Sequence, residues 1–317
     1  MFKKSHIALQ NWYNIYGRHD LPWRMTDDSY KIWVSEVMLQ QTQVKTVLER
    51  FYFPFLEVFP TMQTLANASE DDVLKMWEGL GYYTRCRNLH KTAKICQSVL
   101  PKEVEALIDL PGIGKSTAHA IAAFSFHTPV PILDANVKRI LYRVFGVKEA
   151  KEKELWRLAY QLFDQTDPYH YNQAMMDLGA TLCQAKSVDC DNCPFFTVCK
   201  AAQDDPLRYP QKKVKKSVPK RVRHITVHER DGKFALRQRQ TRLLHGLWGF
   251  IEHDMTQNAT NIGEIIHKYT HFHLYATVYH TSRPVEDVTW FSREEIDTLA
   301  LSGADHKILQ LLQKATV

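Results

Sequence analysis

Along the first two thirds of the chain, apolar positions recur at steps of three and four, the spacing of helices with one buried face. Ile32, Trp33, Val37, Val44, Val47, Leu48 and Phe51 keep that period and predict one long helix from Tyr30 to Phe51. Its centre, Ser35 to Gln43, is polar and holds Glu36, Gln40 and Gln41; a solvated face and a functional surface explain such residues equally well. Ser69 followed by Asp72 reads as a cap on a helix from Asp71 to Glu78 that stops at Gly79-Leu80-Gly81. The helix after it carries Tyr82, Tyr83, Arg85, Arg87 and Lys91, and its aromatic pair suits either a core or a wedge in a base stack.

Leu110-Pro111-Gly112-Ile113-Gly114 cannot continue a helix, so it joins one over Val104 to Asp109 to another over Ser116 to Phe126. The turn is an ordinary connection or, because a helix start leaves backbone N–H groups free, a phosphate seat. Pro129 and Pro131 end the second helix. Asp134 then precedes Val137, Ile140, Leu141, Val144 and Phe145, an amphipathic run stopped by Gly146, and reads first as an N-cap. Helices over Glu152 to Phe163 and Tyr171 to Leu182 follow, and the pattern shows no useful alternating run, so this part is all-α.

From Pro210 to His224 the pattern lapses into Lys212, Lys213, Lys215, Lys216, Lys220, Arg221 and Arg223 with no acid among them. Such a run reads as a solvated linker or a tether across a phosphate backbone. Beyond it the period becomes two. Ile225-Thr226-Val227 and Phe234-Ala235-Leu236 flank Asp231-Gly232, a hairpin signal; His271 to His280 and Val288 to Phe291 add strands, and Arg293 to Ala300 and Ala304 to Gln313 add helices. The expected division is 1–205 all-α, 206–223 basic linker and 224–317 α+β.

Composition changes this picture little, since 317 residues at 44% hydrophobic suffice for two cores and a net charge of +6 favours polyanions only weakly. The absence of an eighteen-residue apolar run argues against a membrane span and for a cytoplasmic protein. Cysteine placement matters more. Cys183, Cys190, Cys193 and Cys199, spaced C-x6-C-x2-C-x5-C, suit a soft metal centre, and spacing alone leaves zinc and iron–sulfur open.

In their order, SEVMLQQTQV, GLGYY, LPGIGKSTA, LDANVKR and the four cysteines resemble the MutY adenine DNA glycosylases of the helix-hairpin-helix, iron–sulfur repair superfamily. The resemblance implies a multidomain fold: an all-α helix-hairpin-helix glycosylase domain with an iron–sulfur loop, then a C-terminal α+β Nudix-like domain. It implies a monomer acting on double-stranded DNA, removing adenine mispaired with 8-oxoguanine or guanine. Glu36 then protonates the departing base and Asp134 stabilises the cationic sugar, a division of labour that glycosidases also use. Burial beside Trp33 is expected to raise Glu36, and the helix N-terminus to keep Asp134 ionised.

By the same resemblance Arg24 holds the pocket and, with Ser116, counts among the DNA contacts, Gln40, Gln41 and Tyr82 enter the duplex, and Gly112 and Gly114 meet a phosphate. The cysteines would hold one [4Fe–4S] cluster, and Thr270 and His271 would contact the lesion, where the family commonly has Phe-Ser-His in place of Tyr269-Thr270-His271. No glutamate-rich hydrolase helix is present in the C-terminal part, which implies recognition without hydrolysis. Ala135 replaces the usual glycine after Asp134.

Endonuclease III, a glycosylase and lyase on other lesions, shares this pattern but uses a hairpin lysine where Ser116 stands. Lys115 is turned away by about 100° per helical residue. A non-enzymatic metal-containing DNA-binding regulator is the remaining alternative.

Overall fold

The computed structural model describes residues 2–211, 217–252 and 259–315. As far as residue 211 it is helical, in the order α1 (Lys3–Tyr16), α2 (Ser29–Leu39), α3 (Val44–Arg50), α4 (Tyr52–Val58), α5 (Met62–Asn67), α6 (Glu70–Met76), α7 (Tyr83–Cys96), α8 (Val104–Ile108), α9 (Lys115–Phe126), α10 (Ala135–Val144), α11 (Glu152–Leu162) and α12 (Pro168–Thr181). The single helix expected from Tyr30 to Phe51 is therefore two. The polar stretch Gln40 to Gln43 breaks it, and Gln41 takes a left-handed φ of 59° there. Without an apolar face to bury, this stretch gains nothing from helical continuity. Asp28 caps α2, Ser69 caps α6 and Asp134 caps α10, each accepting a backbone N–H two or three residues on.

By its contacts the chain forms two compact units, one of Met1–Gln41 with Cys96–Val214 and one of Thr42–Ile95 with Lys215–Val317. In the first, α1, α10, α11 and α12 close on a core of Leu141, Leu162, Met175 and Leu178. Helix α9 packs on α2 through Ala120, Ala123 and Phe124 against Ile32. Gly179 lets α12 approach the start of α10, because a Cβ there would meet the Asn136 Cβ at 2.5 Å.

In the second unit the apolar faces of α3 to α7 bury Phe55, Leu65, Leu74 and Trp77 completely. The C-terminal segment adds β1 (Lys220–Arg230), β2 (Lys233–Gln238), β3 (Trp248–Gly249), β4 (Ile251–Glu252), β5 (Thr260–Lys268), β6 (His273–Thr281), β7 (Thr289–Phe291), α13 (Arg293–Thr298) and α14 (Gly303–Ala315). The sheet runs β3-β2-β1-β6-β5, with β4 on β1 and β7 on β2. The β1–β2 hairpin turns at Asp231 and Gly232 with φ of 51° and 72°, the mirror-image turn whose twist suits paired strands. Strands β1 and β6 are parallel, from Lys220 opposite His273 to His228 opposite Thr281.

Of the basic run, Lys212, Lys213, Lys215 and Lys216 lie outside the described residues. Lys220, Arg221 and Arg223 belong to β1 and not to a linker. Within this unit Lys75 donates to the Leu299 carbonyl, Tyr83 to that of Leu301 and Gln238 to Asp71, so residues 42–95 pack on the sheet module. Among the described residues no helix is long and apolar enough to cross a membrane.

Candidate active site and nucleic-acid interface

Helix α2 carries Glu36 one turn after Trp33, which is fully buried. The Glu36 side chain keeps a little accessible surface yet is densely surrounded. Burial first, then the charge of Asp134, push its carboxyl up to about 7, and Arg24 opposes them. An acid near 7 holds a proton and can give it up at neutral pH, which a solvated glutamate does not.

Asp134 ends the chain segment that leads into α10. Its Oδ1 accepts the Val137 N–H at 2.7 Å and its Oδ2 the Asn136 Nδ2 at 3.0 Å. The cap is as the sequence predicts, but its electrostatic outcome differs. Burial raises the Asp134 carboxyl above its ordinary range, and the Val137 and Asn136 donors and Arg139 only partly offset this. Those donors favour the anion, against the burial that raises the carboxyl. Ala135 is exposed at the first turn of α10.

Arg24 is not available to DNA. Its side chain is 5% exposed, and Nη1 and Nη2 each donate to the Asp177 carboxylate at 2.8 Å. Asp177, with no exposed surface, also accepts from the Arg18 backbone N–H at 2.8 Å, its Nε at 2.8 Å and its Nη2 at 2.5 Å. Burial works to raise this carboxyl, but Arg24 and Arg18 outweigh it and hold it below the usual range.

A second network escaped sequence reasoning. Arg139 donates from Nη2 to Asn136 Oδ1 at 3.0 Å and to the Gly179 carbonyl at 2.5 Å, and from Nε to the Cys183 carbonyl at 2.8 Å. Arg143, one turn on and 2% exposed, donates to Cys183 Sγ at 3.0 Å and to the Gln184, Pro206 and Tyr209 carbonyls. The available signal was the i, i+4 spacing of two arginines on one helix, which brings both to one face.

Cys183, Cys190, Cys193 and Cys199 sit in one loop, tied by the Cys193 N–H to the Cys190 carbonyl and the Cys199 N–H to that of Phe195. Cys183, Cys193 and Cys199 pack against the core of the first unit. Among the described residues no three metal-ligating side chains converge closely enough to hold an ion. Even so, burial and then the other cysteines raise the Cys193 thiol, which puts the four within one another's field. A set of four thiols, with Arg143 donating to one sulfur, fits a thiolate-held cluster by its chemistry.

The hairpin places Gly112 at φ 77° and Gly114 as the N-cap of α9, both exposed. No side chain caps α9, and a Cβ at Gly114 would meet no described atom within 4 Å. Ser116 is half-buried in the first turn. The Lys115 amine lies 4.4 Å from the centre of the Trp156 ring. Gln40 donates to Thr117 Oγ1 at 3.3 Å, and Gln41 is exposed.

In the second unit Tyr82, at φ 51° with the Arg85 guanidinium 5.1 Å from its ring centre, lines a recess of about 290 Å³ together with Thr270 and His271. The geometry thus gathers Glu36, Asp134 and Arg24 in the first unit, and Tyr82, Thr270 and His271 in the second.

Residues 34–165 match the HhH-GPD superfamily base excision DNA repair protein model, and residues 224–311 match the NUDIX domain model. An adenine DNA glycosylase of Buchnera aphidicola subsp. Schizaphis graminum is 36% identical over 297 residues, covering 86% of this chain and 85% of that protein. Another, from Buchnera aphidicola subsp. Baizongia pistaciae, is 42% identical over 208 residues; the match covers 63% of this chain but only 59% of the relative's length. A solved thermostable thymine-DNA glycosylase superposes with a TM-score of 0.58 at 26% identity, covering 63% of this chain and 97% of its own.

Proposed function

This chain belongs to the adenine DNA glycosylases, and from that premise we propose that it hydrolyses the N-glycosidic bond of adenine mispaired with 8-oxoguanine or guanine in duplex DNA. One observation carries the reading: two carboxyls share a field, one pushed up to about 7 and the other fixed by two N–H donors. Adenine is a poor leaving group as an anion, so Glu36 gives its proton to a ring nitrogen as the glycosidic bond breaks. The bond's electron pair leaves with the base, and the sugar becomes cationic. The Asp134 carboxylate stabilises that cation until water adds to the anomeric carbon and gives its proton to the Glu36 carboxylate, restoring the acid. Glu36 reaches an adenine only outside the stack, so the base is flipped, and by the family resemblance Gln40, Gln41 and Tyr82 enter the duplex. Thr270 and His271 contact the opposite 8-oxoguanine, and the exposed N–H groups beside Gly112 and Gly114 hold a phosphate.

Cys183, Cys190, Cys193 and Cys199 hold one [4Fe–4S] cluster, which when bound fixes their loop without taking part in the chemistry. Through Arg139 and Arg143 that loop braces α10 and so Asp134. The enzyme acts as a monomer and stops at base removal. Ser116 supplies no amine, and Lys115, one position away and turned by about 100°, has its amine 4.4 Å from the Trp156 ring centre, which disfavours the lyase alternative.

The test is a duplex carrying one adenine opposite 8-oxoguanine, guanine or thymine, incubated with the protein and then treated with alkali. Scission at the adenine opposite 8-oxoguanine and guanine is expected; none would overturn the glycosylase reading and favour a DNA-binding regulator. A brown protein with visible absorption would distinguish iron–sulfur from zinc.

A further inference from the structure

Between α6 and α7 the chain takes left-handed backbone three times, at Gly79 (φ 90°), Gly81 (77°) and Tyr82 (51°). Glycine adopts it freely, but a tyrosine holds it only where its surroundings impose it. Trp77 and Arg85 both donate to the Gly81 carbonyl, at 3.1 and 3.3 Å, and shape the turn from within the two helices. Two further contacts tie it to the sheet module. The Leu301 N–H donates to Glu78 Oε1 at 3.2 Å, and the Tyr83 hydroxyl, which accepts the Gly79 N–H at 3.3 Å, donates to the Leu301 carbonyl at 3.4 Å. Both backbone groups of one buried residue are thus committed to the two ends of the turn that carries Tyr82.

The opposite wall of the recess is built on the same stretch of chain. Ser302, the residue after Leu301, lines the recess with Tyr82, Thr270 and His271, and its Oγ receives the Tyr269 hydroxyl at 3.4 Å. Glu78 is held firmly in place: Lys75 donates to Oε2 at 2.8 Å, and His306 bonds Oε1 beside Leu301. Burial works to raise its carboxyl, but His306 and Lys75 outweigh it and hold the group below the usual range, so it is an anion at neutral pH. We propose that Glu78 is a positioning residue for lesion recognition: through Leu301 it sets the turn that presents Tyr82 at a fixed place relative to Thr270 and His271. The inference rests on the glycosylase reading above, which sends Tyr82 into the duplex.

The experiment is a double-mutant cycle on duplex affinity with the full-length protein, for wild type, Glu78→Ala, Tyr82→Ala and the double variant, with thermal melting alongside. The quantity read is the ratio of affinities for a duplex with adenine opposite 8-oxoguanine and for an undamaged duplex, the adenosine carrying a 2′-fluorine so that its bond stays intact. Residues that act as one unit are not additive, so Glu78→Ala should lower the ratio about tenfold when Tyr82 is present and less than about twofold when it is absent. Glu78→Gln keeps an acceptor for the Leu301 N–H and should restore most of the ratio.

An equal fall with and without Tyr82, an unchanged ratio, or equal losses on both duplexes would overturn the inference and leave Glu78 a packing residue. Should Glu78→Ala fail to fold, Tyr83→Phe removes the hydroxyl that joins Gly79 to Leu301. Its effect on the ratio must depend on Tyr82 in the same way, and an equal fall in both backgrounds overturns the inference there too. Excision is measured separately on the unfluorinated duplex. No adenine release by wild type would overturn the glycosylase reading, while the affinity cycle still decides the role of Glu78.

Discussion

Arg139 donates its Nε to the backbone carbonyl of Cys183 at 2.8 Å. The same guanidinium reaches Asn136, whose amide reaches Asp134, so three hydrogen bonds connect the cysteine loop to the Asp134 carboxylate. Removing a supporting bond of this kind commonly costs about 10- to 100-fold in activity. Arg139→Ala is therefore expected to slow excision by about that factor while weakening lesion-duplex binding far less. Single-turnover rates and a gel-shift titration check this; equal losses in both would mean that Arg139 serves DNA binding.

Asp134→Asn keeps a side chain able to cap α10, so the change in unfolding free energy should stay below about 1 kcal/mol. The lost charge acts at the transition state, where a positioned electrostatic group is worth about 100- to 1000-fold. Thermal melting beside single-turnover kinetics separates the two effects. A variant that melts like wild type yet keeps more than a tenth of its rate would remove Asp134 from the chemistry.

Lys115→Ala removes a cation from the face of Trp156, at about 0.5–1 kcal/mol for an exposed contact. Excision of adenine should continue, and borohydride should trap no protein–DNA adduct in either form. An adduct in wild type that vanishes in the variant would make the enzyme a lyase.

Thr270→Ala should reduce the preference for 8-oxoguanine over guanine opposite adenine and leave the rate on the guanine mispair nearly unchanged. Rates on the two duplexes, compared as a ratio, check this, and an unchanged ratio would take the recess beside Tyr82 out of lesion recognition.

What the sequence revealed was local. Caps at Ser69 and Asp134, the glycine stop before Tyr82 and the turn at Asp231-Gly232 are dictated by two or three neighbouring residues, and each stands where the pattern put it. The helix break at Gln41 was missed because glutamine carries no sequence signal for a left-handed φ. Pairing of β1 with β6 joins strands some fifty residues apart, and nothing in either run names its partner. The site divides in the same way. Glu36 and Asp134 stand within recognisable local motifs, whereas Asp177 acquires its meaning only when folding brings Arg18 and Arg24 to it. The raised carboxyl of Asp134 likewise follows from burial, which a cap signal does not encode.

The stability of the fold should register the strain of the buried acid. The Glu36 carboxyl is raised in the folded state, so its contribution is full below the unfolded value of 4.5 and is lost as pH rises through about 7. Glu36→Gln, which cannot ionise, should therefore gain melting temperature relative to wild type between pH 5 and pH 8.5. A constant difference across that range would mean that Glu36 is not protonated in the folded protein.

The most direct test of the acid assignment is the rate of adenine excision opposite 8-oxoguanine between pH 5 and pH 9, under single-turnover conditions, for wild type and Glu36→Gln. The expected result is a wild-type rate that falls as pH rises through about 7, and a variant that binds the lesion duplex but excises nothing measurable. A wild-type rate that stays flat or rises through pH 7, or turnover retained in Glu36→Gln, would contradict it.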